Sequence, residues 1–590
     1  MPTMESVNHG LKSCRSTHSR TFFIALFLLV LFTMGACSSD SDSTNTSGSS
    51  ENTDNNGDQP STTETIEPDS HEDESDYTWD SADEVLISLD TTSISVNGAG
   101  ATVSDTRVTI ESAGTYRLSG TLGDGQITVD TDDKEVVRLI FDGINIANST
   151  SAAVNIASAE KTVILLEQGS DNFISDALSY VYDDPEEDEP NAALFSDDDL
   201  TIFGTGSLTV NARYNDGIAS KDGLLIKGGT INVTAEDDGI RGKDYLIIEN
   251  GNFTINSNGD GLKSDEDEDA ELGYISIAGG SFDITANQGD AIQAETNLQI
   301  EDGEFTILAG DGHTLYTETD PDSKKGLKAG ANLFIEGGSF SIDAADDAVH
   351  SNNGITIDGG TFELATGDDA MHADGALEVN DGSIDIDTCY EGLEAVTMTL
   401  NGGTITVSSN DDAINAAGDA GENRLYIHGG DITVYAEGDG IDVNGAMEMT
   451  GGTVLVHGPI TSFNAALDYD ATFSISGGLL IAAGSSRMAQ TPGSSSSQNS
   501  LEVTFGTDQA AGQLFHIQGS GGEIVTFAPA KAYRSLVFSS PELHSGSSYS
   551  IYTGGSSTGT EAGGLYEGGS YSPGSLYADF TVNNTITVVD

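Results

Sequence analysis

The sequence predicts an all-β chain whose body is a right-handed, three-sided parallel β-helix with a small C-terminal β cap or domain. Three observations predict it: an internal repeat of roughly 22 residues, in the range that signals a solenoid; three short alternating apolar runs inside each unit; and Gly-rich turns between the runs.

Units such as LLIKGGTINVTAEDDGIRG from Leu224, LIIENGNFTINSNGDGLKS from Leu246, LFIEGGSFSIDAADDAVHS from Leu333 and ITIDGGTFELATGDDAMHA from Ile355 align without gaps. The typical unit opens on a Leu-x-Ile run. A Gly-Gly turn follows, where positive φ costs little. The second run is Phe-x-Ile, and the third is Asp-Gly/Ala-Ile-x-Ala. Alternation with period two is a strand signature, one side chain in and the next out. Three strands and three turns make one coil, and coils stack about 4.8 Å apart with equivalent residues paired in parallel. Phe253, Phe282, Phe305, Phe340 and Phe362 share one position in successive units, so an internal aromatic stack is expected. Cys389 falls near a small-residue turn and reads as a structural thiol. A leucine-rich repeat, a nonapeptide calcium roll and a propeller each fail on period or signature.

The ends differ in composition. Residues 1–37 read as a lipoprotein export signal. Lys12, Arg15 and Arg20 precede the apolar run Phe22–Phe32, which is shorter than the ~20 residues of a membrane span. Thr33-Met34-Gly35-Ala36-Cys37 resembles a lipobox, which makes Cys37 the lipidation site and the membrane a partner only through that anchor. Ser38 after it suggests outward sorting, to an outer membrane or cell surface. Residues 38–81 are too polar to bury a core and read as a disordered acidic tether. The β-helix is assigned to residues 82–492, with less regular coils before Asp199 and an acidic insertion at Tyr180–Pro190. Residues 493–590 open on a Ser-rich linker, Gly493–Asn499, and continue as a cap or small β domain over the open end.

Lys and Arg total 21 against 96 Asp and Glu, a net charge of -75. That excludes a nucleic-acid surface, which needs clustered cations. The body holds one cysteine, so no internal disulfide is available after processing. Acids recur where the third run begins: Asp216, Asp238, Asp260, Asp290, Asp347, Asp369, Glu391, Asp412 and Asp439, preceded in some units by Asp237, Asp346, Asp368 and Asp411. Stacked strands place them about 5 Å apart, where unit charges repel by several kcal/mol at intermediate dielectric. Calcium takes oxygen ligands at about 2.4 Å, so Ca2+ is the expected cofactor, with these aspartates as its ligands. The competing reading is that Asp simply makes turn hydrogen bonds.

One outward position follows the acids: Arg241, Lys263, Gln293, Lys328, His350, His372, Glu394, Asn415 and Asp442. It is basic early and polar or acidic late, and Lys221 and Lys243 lie close to it. Two readings stand. The cations balance the acids, or Lys221, Arg241, Lys243, Lys263 and Lys328 recognise sugar carboxylates. As exposed charges, Lys263 and Lys328 should add little to stability. His350 and His372 sit at one place in adjacent coils. With no third His or Cys beside them, they read as a solvated ladder.

The strings Gly217-Ile218-Ala219-Ser220-Lys221-Asp222, Gly239-Ile240-Arg241-Gly242-Lys243-Asp244 and Gly261-Leu262-Lys263-Ser264-Asp265 carry a resemblance. With Ala113-Gly114-Thr115-Tyr116 and Ser539-Ser540-Pro541-Glu542-Leu543, they resemble a bacterial family of calcium-dependent carbohydrate-binding β-helix proteins, similar in fold to pectate-lyase-type polysaccharide lyases. The resemblance covers most of Glu84–Asp590. It implies binding of polysaccharide, either acidic glycans such as polygalacturonate or cellulose. A calcium-dependent lyase acting by β-elimination is the alternative, with Lys243, Lys263 and Lys328 as candidate bases. A non-specific adhesin is a third reading. Spacing singles out no base, so binding is preferred.

If Cys37 carries the lipid, Cys37→Ser is expected to move the protein out of the membrane fraction. Fractionation and immunoblotting check this, and an unchanged distribution contradicts the anchor.

Overall fold

The computed structural model describes residue 68 and residues 70–590, apart from 183, 185, 187, 316–322, 419–421 and 462. The leader, Cys37 and most of the expected tether lie outside the described residues.

The alternation read in the sequence becomes a three-stranded coil. One coil is formed by Leu200–Gly204, Ser207–Asn211 and Asp216–Ser220, and the next by Gly223–Ile226, Thr230–Ala235 and Ile240–Gly242. We call these the first, second and third strands. Each pairs in parallel with its equivalent one coil on. Leu200 pairs with Leu224, Leu208 with Ile231, and Ile218 with Ile240. The inward residues of the three ladders merge into one continuous core from Ile87 to Ala482, joined by Val537.

The phenylalanine column lies inside that core. Phe253, Phe282, Phe305, Phe340 and Phe362 stack with centroids 4.8, 4.6, 4.8 and 4.7 Å apart and planes within 6° of parallel. The strand spacing sets that separation, and the rings cover one another's faces. Cys389 is buried, with its thiol toward the Ser408 carbonyl. Glycine is required where coils touch. A Cβ on Gly239 would sit 2.5 Å from the Gly261 carbonyl oxygen, closer than any real Cβ contact. Gly360, in the turn before the second strand, has φ +101°, a conformation that favours glycine.

Both ends depart from the expected boundaries. The sequence assigns residues to 81 to the tether, yet from Ser70 the chain lies against the solenoid. Asp76 is buried and pairs with Lys161 at 2.5 Å. Arg138 donates to the Asp76 and Ser75 carbonyls, and His71 bonds Tyr245 and Thr201. Composition gave no sign of this, because a few charge pairs hold the segment, without any apolar stripe. Val85–Thr91 then hairpins with Ser93–Asn97 and pairs in parallel with Gly114–Leu122, starting the ladders.

At the other end, Leu479–Gly484 finishes the second-strand ladder and pairs antiparallel with Tyr533–Ser539. That strand pairs with Ser500–Gln509. A separate six-stranded sheet is built from strands between Phe515 and Thr581. It shares a core with Leu455 and Ile481 of the solenoid. The expected Ser-rich linker is instead fastened to the last coil: Gln498 is buried and donates to the Gly478 carbonyl and to Ser539. His457 locks the junction. It accepts from the Ala530 N–H at Nδ1, so Nε2–H donates to the Gly563 carbonyl, and its ring stacks between Tyr435 and Phe527. Burial holds its pKa down at about 4.

Phe305→Ala is expected to open a cavity mid-stack and to cost about 3–5 kcal/mol in urea unfolding. Thr306→Ala, on the exposed face of the same strand, is expected to stay within about 0.5 kcal/mol of wild type.

Candidate functional site

The acid column stands where the third strand begins, and its two carboxylate oxygens do different work. Asp216 bonds the Asn191 carbonyl and Asp347 turns to Asp346, but in most coils backbone pairing takes hold one residue later, so the column N–H needs another acceptor. The preceding coil's aspartate supplies it. Oδ1 of Asp216 accepts from Asp238 at 3.3 Å, Asp238 from Asp260 at 2.8 Å, and Asp260 from Asp290 at 2.8 Å. Asp347 accepts from Asp369 at 3.1 Å, Asp369 from Glu391 at 3.2 Å, and Asp412 from Asp439 at 2.5 Å. Turn hydrogen bonding therefore accounts for the recurrence of Asp.

The second oxygen meets the outward ladder. Arg241 bonds Asp216 at 3.1 Å and Asp265 at 3.3 Å. Lys263 bridges Asp238 at 3.1 Å and Asp260 at 2.8 Å. Lys328 meets Asp290 at 2.9 Å. Of the flanking cations, Lys243 pairs with Glu266 at 2.7 Å, and Lys221 with Glu189 at 2.8 Å and Asp197 at 3.0 Å. All five predicted ligand-binding cations are thus ion-paired within the chain. A further cation, Lys325, holds Asp346 at 2.8 Å and Asp347 at 2.6 Å. Sequence reasoning missed it because the insertion between Ala309 and Leu327 takes it out of register. The adjacent Lys324-Lys325 pair was the available signal.

Burial lifts Asp238 and Asp260 above the usual carboxylate range, and Lys263 pulls them back only partly. Burial would do the same to Asp347, but hydrogen bonds from His350 and Lys325 hold it far below that range. Beyond Asp347 the cations stop. The outward positions become His372, Glu394, Asn415, Asp442 and Asp468, each paired in register with the next. Burial, then the charge of Asp347 and the contact with Glu394, push Asp369 up to about 10. Burial lifts Glu391 to about 7, although Asn415 donates to it at 2.7 Å. Burial and the neighbouring acids Asp412, Asp442 and Asp468 raise Asp439 to about 7.

Carboxylate oxygens of Asp412, Asp439 and Asp442 lie within 4.8 Å of one another. Among the described residues, no Lys or Arg pairs with them. Asp412 and Asp439, both predicted as metal ligands, thus converge in an all-carboxylate group. Asp442, which the sequence placed in the outward ladder, completes the group. The set is all oxygen and partly buried, and Oδ1 of Asp412 and of Asp439 is already engaged by backbone N–H groups. The donors fit a hard divalent ion such as Ca2+, which needs more oxygens than these three supply. Asp346, Asp347 and Asp368 also converge, with Lys325 among them. Asp216, Asp238, Asp260 and Asp290 face Arg or Lys, Asp237 is exposed, and Asp411 lies beside Tyr390. Tyr390 and Phe463, 47% and 83% exposed, stand on the turns that lead into this stretch.

The chain matches the profile of a family described as carbohydrate-binding domain-containing proteins over residues 104–370, 354–423 and 369–513. It is 48% identical over 214 residues to a carbohydrate-binding domain-containing protein of Acetivibrio thermocellus, a match spanning 36% of this chain and 74% of that protein. A solved structure described as the polysaccharide lyase-like protein from C. thermocellum, a gadolinium derivative, aligns at 30% identity and TM-score 0.36. That alignment covers 50% of this chain and 96% of the other.

Lys263 is not the dispensable surface charge that the sequence suggested. Its side chain is 24% exposed and its two partners are more buried still. Lys263→Ala is expected to cost on the order of 2 kcal/mol, below the ~3–5 kcal/mol of a fully buried pair because water reaches the site. The loss should grow with pH. The stranded carboxyls, raised by burial, keep protons that the unfolded chain has released, so stability falls as pH climbs from the ordinary carboxylate range into their raised one. Urea melts at pH 5 and pH 8 check both the size and the sign.

Proposed function

Because the chain belongs to the family of carbohydrate-binding domain-containing proteins, we propose that it binds acidic polysaccharide, of the polyuronate class, through calcium held on the third-strand face. The observation that carries this reading is the convergence of Asp412, Asp439 and Asp442 with no Lys or Arg paired to them among the described residues. Early on the face, Lys221, Arg241, Lys243, Lys263 and Lys328 are already spent on carboxylates of the chain, which leaves none of these five free for a sugar carboxylate. Late on the face, acids crowd together at a range where repulsion reaches several kcal/mol. A calcium ion there takes protein carboxylates on one side and keeps coordination positions open for ligand carboxylates on the other. Tyr390 and Phe463 offer apolar surface beside it for sugar rings. A neutral glycan such as cellulose brings no carboxylate to complete the ion's shell.

The lyase alternative needs a base that is neutral at working pH. Ion pairs raise the pKa of Lys243, and Lys263 is raised further still, its two aspartates outweighing burial. Both lysines are therefore poor proton acceptors, which supports binding over β-elimination. With the leader read as a lipoprotein signal, the site would be displayed outside the membrane on a tether.

Metal-stripped protein is expected to bind polygalacturonate only when Ca2+ is restored, and to release no unsaturated product. Asp439→Asn with Asp442→Asn should weaken binding by on the order of tenfold or more. Calorimetry with and without chelator tests this. Equal affinity under chelator overturns the calcium reading, and accumulation of unsaturated oligosaccharide replaces binding with the lyase.

A further inference from the structure

His350 and His372 pair in register across adjacent coils, and Glu394 follows His372 in the next. The imidazoles are half-buried and partnered, unlike the solvated ladder expected from sequence. Their centroids are 5.1 Å apart with planes at 84°, so the rings meet edge to face. His350 holds Asp347 through Nδ1 at 2.8 Å and Asn352 through Nε2 at 3.0 Å. His372 Nδ1 lies 3.5 Å from Asp369 and 3.8 Å from Asp347; its Nε2 lies 3.5 Å from Asp374 and 4.0 Å from Glu394.

Two sets of potential ligand atoms each fall within 4.8 Å: Asp347, His350 and His372, and Asp369, His372 and Glu394. His372 is common to both. In the first set Lys325 already occupies Asp347. In the second, Asp369 and Glu394 are hydrogen-bonded to each other. Two carboxyl groups in contact need a shared proton or a cation between them, and among the described residues no Lys or Arg supplies one. His372 Nδ1 lies 3.5 Å from Asp369, near the ~3.3 Å between two ligands of one tetrahedral ion bound at ~2.0–2.1 Å, and one ligand atom from each of Asp369, His372 and Glu394 lies within 4.8 Å of the other two.

We propose that Asp369, His372 and Glu394 form a site for one borderline divalent transition ion of the Zn2+ or Co2+ class. Imidazole nitrogen favours these ions over calcium, which prefers oxygen alone. Two carboxylates balance the ion's charge. The site stands between the lysine-balanced coils and the all-acid coils, and its existence does not depend on any sugar being bound.

The test is calorimetric titration of Zn2+ into the metal-stripped full chain in the presence of millimolar Ca2+, which saturates oxygen-only sites. One Zn2+ per chain is expected to bind despite the calcium. His372→Asn should weaken it on the order of 100-fold or more, beyond the ~10–100-fold typical of outer-shell partners. His428→Asn, at an exposed histidine that contacts Thr450, should bind Zn2+ like wild type. Should His372→Asn fail to fold, Glu394→Gln and the Co2+ absorption spectrum of the wild-type chain carry the test, with imidazole-type ligand-field bands expected. Zn2+ fully displaced by Ca2+, a His372→Asn variant that binds as wild type, or a Co2+ spectrum indistinguishable from the hexaaquo ion would each overturn the site.

Discussion

Parallel pairing in register is the constraint on which the rest of this molecule depends. It stacks each residue on its equivalent about 4.8 Å away, so whatever one position does is done again by its neighbours. Apolar positions profit at once: Phe covers Phe at 4.6–4.8 Å and Ile covers Ile. Charged positions suffer, because like stacks on like at a distance where water screens poorly.

The chain meets that difficulty in two ways along one face. In the earlier coils, Arg241, Lys263, Lys325 and Lys328 each hold the carboxylate of a column aspartate. In the later coils the outward position is His, Glu, Asn or Asp, and the acids are left to one another. The face is therefore graded from internally neutralised to cation-hungry, with the histidines at the change. Lost solvation is the common cause: it is the largest influence on every column acid whose ionisation is shifted, including those with a cation beside them.

Most of the architecture was legible in the sequence, because period two inside a ~22-residue period leaves few architectures to choose from. The aromatic stack followed from register alone. The acid column was legible too, but not its division of labour: one oxygen for a backbone N–H, the other for a cation, is geometry that a one-letter string does not carry. Lys325 escaped because an insertion broke the alignment. Asp442 was sorted by position into the outward ladder, although it faces the same space as Asp439. Partners for the histidines were sought among His and Cys, while Asp369 stood in the acid column and Glu394 next to His372 in the same outward ladder. The docking of residues 70–83 was hidden because a handful of specific pairs overrode a disorder-like composition.

Most of the ion pairs and turn bonds of the acid column run from one coil to the next. A coil duplicated whole would therefore arrive with its own acceptor for the strand before it and its own donor for the strand after it. Such a molecule can grow or shrink by single coils through tandem duplication or loss of a short stretch of gene. Its reach along an extended polymer is then set by a copy number, and no new contact has to be invented to change it.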